Sequence, residues 1–131
     1  MDSGRELLRI LLVEDNTEIE AVAVRYLAQR GLQVDTARGV EEALVRLSGT
    51  SYDAVVTDLD LSGSGSTDGL RIIAAAAVAL PKPRILLWSG SISHSIDEQA
   101  RRLGADDVLS KPGLAALAAT LIWLLDPPHG V

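Results

Sequence analysis

The sequence predicts an α/β domain: one buried parallel sheet with helices packed on it. Three observations lead there. Short apolar runs of strand length alternate with stretches whose apolar residues recur at helical spacing. Such alternation implies right-handed βαβ units around a sheet covered on both faces. The chain has 131 residues, about one domain's worth, and shows no repeat or linker.

The elements follow in order. Leu8 to Val13 is a strand-length apolar run. Asn16 and Thr17 can cap a helix, with Glu18 and Glu20 in its favourable first turn. Ile19, Val22, Ala23, Tyr26 and Leu27 carry its helical period, and Gly31 ends it as a left-handed cap. Leu32 to Ala37 reads as a second strand, and Val40, Ala43, Leu44 and Leu47 as a second helix. Ala54 to Val56 is a third, buried strand, left at Asp58. Ser62 to Ser66 is a Gly/Ser loop. Leu70 to Leu80 is an Ala-rich helix stopped by Pro81 and Pro83. Ile85 to Trp88 is a fourth strand, Ser93 to Leu103 a polar helix closed by Gly104, and Val108-Leu109 a short fifth strand. Gly113 to Leu125 is a last helix, stopped by Pro127-Pro128. The domain is expected to span 7–126, with short tails at 1–6 and 127–131.

Composition excludes several functions. Net charge is −6, which disfavours a nucleic-acid surface built on basic residues. There is no cysteine, so thiolate catalysis and cysteine-ligated zinc are ruled out. No stretch approaches the roughly 20 apolar residues of a membrane helix, and the polar opening does not read as a signal peptide. A cytoplasmic location is expected, with no membrane partner. His94 and His129 read as exposed bystanders.

In open parallel sheets, sites form beyond the carboxyl ends of the strands. The polar residues there are Glu14, Asp15, Asp58, Ser89 and Lys111. Glu14 and Asp15 close the first strand and Asp58 the third. If these strands are neighbours, three carboxylates converge and repel. Mg²⁺ (or Mn²⁺) relieves this, since a hard cation prefers carboxylates, waters and phosphate oxygens. Read singly, Glu14 and Asp15 are as readily helix caps, and Asp58 a loop start. Ser89 offers a hydroxyl to a phosphoryl oxygen, with Gly90 leaving the approach open. Lys111 supplies a mobile point charge suited to the same group. A surface lysine is its plainer reading, but Pro112 follows it, and a cis bond there would fix its direction.

The motifs Ile10–Asn16, Tyr52–Asp58, Asp68-Gly69, Leu87–Gly90 and Gly104–Pro112, in this order, resemble the receiver domains of bacterial response regulators and hybrid kinases. The resemblance runs from Leu8 to Leu125. It implies a flavodoxin-like sheet of order 2-1-3-4-5 with five helices, and a phosphoacceptor signalling domain in place of an enzyme. It implies Asp58 as phosphoacceptor and Glu14 and Asp15 as the acidic metal pair, with the backbone carbonyl of Asp60 as a further ligand. Ser89 would turn toward the phosphoryl group and Lys111 would contact it. The implied partner is a histidine kinase or histidine phosphotransfer protein.

Some positions depart from the family pattern. Ser62 stands where a proline is usual, Asp68-Gly69 comes about three residues late, and Gly113 replaces a frequent Phe. Val108 replaces the usual aromatic switch, so its rotamer swing is unavailable. The last helix carries apolar residues on more than one stripe, with Trp123 on another side. That surplus suggests a homodimer or a partner docked on it. Two other readings compete. Asp58-Leu59-Asp60-Leu61-Ser62 also resembles the nucleophile motif of haloacid-dehalogenase-type phosphatases, with Asp60 as general acid. The missing aromatic fits an interaction module that is never phosphorylated.

Overall fold

The computed structural model describes residues 7–127. The remaining tail positions, His129 among them, lie outside the described residues. Five strands and five helices alternate: β1 Arg9–Val13, α1 Thr17–Ala28, β2 Gln33–Ala37, α2 Val40–Gly49, β3 Ala54–Thr57, α3 Asp68–Ala77, β4 Arg84–Ser89, α4 His94–Leu103, β5 Asp107–Ser110 and α5 Leu114–Leu125. The strands form one parallel sheet in the order β2-β1-β3-β4-β5. This is the implied flavodoxin-like order. Strand β1 therefore lies between β2 and β3, and its end stands beside that of β3: Val13 pairs with Thr57.

Alternate residues of each strand face opposite sides, and two cores result. Leu11, Val13, Val55, Ile85 and Leu87 pack against Ala43, Ile72, Ile73, Ala76 and Ala100 of α2, α3 and α4. Ile10, Leu12, Ala54, Val56, Leu86 and Trp88 pack against Ala23, Leu27, Leu117, Ala118 and Leu121 of α1 and α5. Burying the inner strands β1, β3 and β4 on both faces explains why they read as nearly continuous apolar runs. Among the described residues, no helix is long and apolar enough to cross a membrane.

Helix starts and stops follow local chemistry. Asn16 caps α1, its side chain accepting from the amides of Glu18 and Ile19, and Ser93 caps α4 by accepting from Ile96. Gly31 takes a positive φ of 84°, but α1 itself ends at Ala28, before a short turn. Helix α3 differs most from the sequence expectation. It begins at Asp68 and stops at Ala77, not Leu80. Val78 and Ala79 donate to Ala75 and Ala76, tightening the last turn before Pro81, and Leu80 is left exposed. The β3–α3 junction is close-packed at Gly69. A Cβ on Gly69 would stand 2.0 Å from the backbone oxygen of Asp58. Only glycine lets α3 approach the end of β3 so closely.

Candidate functional site

The site is built at the carboxyl ends of β1, β3, β4 and β5. Glu14 and Asp15 directly follow β1. Asp58 directly follows β3, its amide donating to Val13 at 3.0 Å, so the ladder carries it beside the acidic pair. Ligand oxygens of Glu14, Asp15 and Asp58 lie within 4.8 Å of one another. Glu14 and Asp58 are buried and Asp15 is half-buried. The expected convergence of the three carboxylates is present.

Their repulsion is partly answered by Lys111. Its amide donates to the carbonyl of Ser89 at 3.0 Å, placing the residue just past β5. Its ammonium donates to Glu14 Oε1, and to Asp58 Oδ2 at 3.0 Å. The Lys111–Pro112 peptide is cis. Burial alone would lower the ammonium's pKa, but the hydrogen bonds to Glu14 and Asp58 outweigh it and hold it above its ordinary value. For Glu14 burial wins: it raises the carboxyl despite the bonds from Lys111 and the Asn16 amide. The other oxygen of Asp58, Oδ1, accepts from the Leu59 amide at 2.7 Å. Asp58 is thus aimed by a backbone donor on one oxygen and a cation on the other. Such fixed polarity assists a reaction in which charge moves through the carboxylate.

Ser89 ends β4, buried and paired in register with Ser110. It opens onto a cleft of about 300 Å³ that it shares with Asp60, Ser66, Thr67, Ser91 and Ser93. For Asp60, sequence reasoning missed the role of the side chain. Its carboxylate is turned into the Gly/Ser loop, where Oδ1 accepts from the amides of Ser62 and Gly63 at 3.1 and 2.9 Å. Oδ1 also accepts from Ser66 Oγ at 3.2 Å, and Oδ2 from the Gly65 amide at 2.6 Å. The departure from the usual loop length is therefore ordered around one side chain. An Asp heading a run of Gly and Ser was the available signal, since Asp bonds backbone amides just downstream. With its carboxylate so engaged, Asp60 is not poised as a general acid, which removes the feature the phosphatase reading needed.

Desolvation would raise the Asp60 carboxyl, but the amides of Gly65, Ser62 and Gly63 and the Ser66 hydroxyl together lower it to about 2. A depressed acid stabilises its loop above the ordinary value of 3.8 and loses that contribution as pH falls toward 2. The Gly65 amide resonance should hold its position from neutrality through pH 3.8 and move only as pH nears about 2. A shift centred on the ordinary value would contradict the capping.

His94 opens α4, exposed, 3.6 Å from Glu98, and takes no part in the site. Val108 is half-buried against the α2–α4 core. On α5, Leu117, Ala118 and Leu121 are buried while Trp123 is 60% exposed. The expected second apolar stripe is real, and among the described residues it is left open.

The chain is matched by the family model for the response regulator receiver domain over residues 10–121. Transcriptional regulatory protein PrrA of Mycobacterium leprae is 35% identical over 129 residues, 95% of this chain and 53% of that protein. Transcriptional regulatory protein TcrA of Mycobacterium tuberculosis is 34% identical over 80% of this chain and 40% of its own length. The chain thus spans about half or less of the curated relatives it matches. A crystal structure of a Burkholderia pseudomallei response regulator, with a phosphorylated aspartic acid, calcium and citrate, superposes with a TM-score of 0.79. It shares 30% identity, over 87% of this chain and 66% of that one. A CheY-like receiver domain of Methanospirillum hungatei matches in fold, with a TM-score of 0.85 at 24% identity over 92% of this chain and 95% of that one. With the family match running over most of its length, the chain belongs to the response regulator receiver domains, signalling domains of two-component systems and not conventional enzymes.

Proposed function

We propose that this domain takes a phosphoryl group onto Asp58 from a histidine kinase or a histidine phosphotransfer protein. The observation that carries the reading is the Asp58 carboxylate, aimed by the Leu59 amide and Lys111 beside two further acids. An Asp58 oxygen attacks the phosphorus as the donor's N–P bond breaks. The imidazole leaves with the electron pair, and the product is an aspartyl phosphate. Lys111 then pairs with a phosphoryl oxygen and Ser89 donates a hydrogen bond to another. Residues 7–126 are the functional unit, and its setting is the cytoplasm.

The donor set fits a hard divalent cation, Mg²⁺ or Mn²⁺, because the clustered groups are all carboxylate oxygens. Glu14, Asp15, Asp58 and the backbone carbonyl of Asp60 would hold it. When bound, such an ion supplies neutralisation of the charge on the phosphoryl oxygens. Self-catalysed uptake from acetyl phosphate, and slow hydrolysis afterwards, follow from the same arrangement. The test is intact mass after incubation with acetyl phosphate, with and without Mg²⁺. One added phosphoryl group is expected only with the ion. No addition under either condition would favour the module that is never phosphorylated.

The net charge of −6 supports a domain that makes no nucleic-acid contact of its own. For output, Val108 offers one stiff torsion, so phosphorylation acts through Ser89 and the neighbouring loop instead. A second copy docks through α5, where Ile122 and Trp123 are exposed. Light scattering should show the parent dimerising with concentration and Trp123→Glu remaining monomeric. A parent that stays monomeric, with and without phosphoryl donor, removes the homodimer.

A further inference from the structure

Lys111 has a third partner that neither carboxylate accounts for. Its ammonium sits over the ring of Trp88, 5.1 Å from the centroid, within the range of a cation–π contact. Trp88 precedes Ser89 on β4, is 1% exposed and packs in the α1–α5 core. Its indole nitrogen is buried with no hydrogen-bond partner among the described residues. An unpaired buried N–H is costly. Leucine or isoleucine, like the neighbouring Ile85, Leu86 and Leu87, would fill a core position without that cost. The tryptophan therefore contributes something an aliphatic side chain does not, and the feature in contact with the site is the ring under Lys111.

We propose that Trp88 is a positioning residue whose ring holds the Lys111 ammonium over the site. The contact matters because the bond to Asp58 is conditional. The Asp58 oxygen that Lys111 holds belongs to the group that becomes acylphosphate, so that bond must be exchanged during the reaction. The attraction of the ring face does not depend on the state of Asp58. It keeps a long, flexible side chain in the cleft while its anionic partners change.

This inference rests on Asp58 as the acceptor, and the experiment separates the two. Trp88→Leu and Trp88→Phe are made in the full chain beside the parent. Phosphoryl uptake from acetyl phosphate with Mg²⁺ is timed by intact mass, and the Lys111 ε-methylene proton shifts are read by NMR. In the parent those protons are shifted upfield by the ring current. Trp88→Leu should lose that shift and slow uptake by about threefold to tenfold, the span of a partly desolvated cation–π contact. Trp88→Phe keeps a ring face and should recover the rate to within about twofold. Equal slowing in both variants would reduce Trp88 to packing, and parent rates in both would remove its role. An unshifted Lys111 in the parent overturns the contact itself, whatever the variants' stability. If the parent takes up no phosphoryl group while Lys111 is shifted, it is the reading of Asp58 that fails.

Discussion

Replacing Asp58 by asparagine should reduce phosphoryl uptake from acetyl phosphate by more than about a hundredfold, because an amide oxygen is no nucleophile at neutral pH. The shape is conserved, so the loss would not come from packing. The asparagine's amide oxygen can still accept from the Leu59 amide, as Oδ1 of Asp58 does. Lys111 would keep Glu14 as its anionic partner. The fold should therefore persist, with a urea midpoint near the parent's. Uptake equal to the parent's would remove Asp58 from the acceptor's place.

The second large effect is expected at Asp15. Of the three clustered acids it alone has no ion pair among the described residues, while Glu14 and Asp58 share Lys111. Asp15 is thus the carboxylate most available to a cation. Asp15→Asn should weaken Mg²⁺ binding by at least about tenfold, or 1.4 kcal/mol. Calorimetry or the emission of Trp88 would report it. The ion-free fold should become slightly more stable, by up to about 1 kcal/mol, since one like charge is gone from the cluster. Repulsion alone suggests a larger gain, but Lys111 already offsets part of it. Unchanged affinity would place the ion elsewhere.

Why so much of the site was legible is a matter of strand ends. An apolar run buried on both faces cannot hold a carboxylate, so the first acid after each run marks the sheet's edge. Glu14, Asp15 and Asp58 were readable in that way. Strand order was not: periodicity marks strands but not neighbours, and the 2-1-3-4-5 order came from the resemblance. Side-chain direction was equally hidden. Asp60 and Asp58 are separated by one residue, yet one carboxylate caps a loop and the other faces Lys111. Nothing in the spacing distinguishes them. The end of α3 was misplaced because the alanine run continues the helical signal through Val78 and Leu80. The backbone had already tightened ahead of Pro81, at the cost of exposing both side chains. Lys111 could be named as a cation for a phosphoryl group. Its present partners, Glu14, Asp58 and the Trp88 ring, come from three other strand ends and meet only in the fold.

The most direct test locates the phosphoryl group itself. After incubation with acetyl phosphate and Mg²⁺, borohydride reduces an aspartyl phosphate to homoserine, which tandem mass spectrometry places in the sequence. Homoserine at position 58 and nowhere else is the predicted result. Homoserine at Asp15 or Asp60, or a fully phosphorylated chain with none, would contradict the assignment of Asp58 as the acceptor.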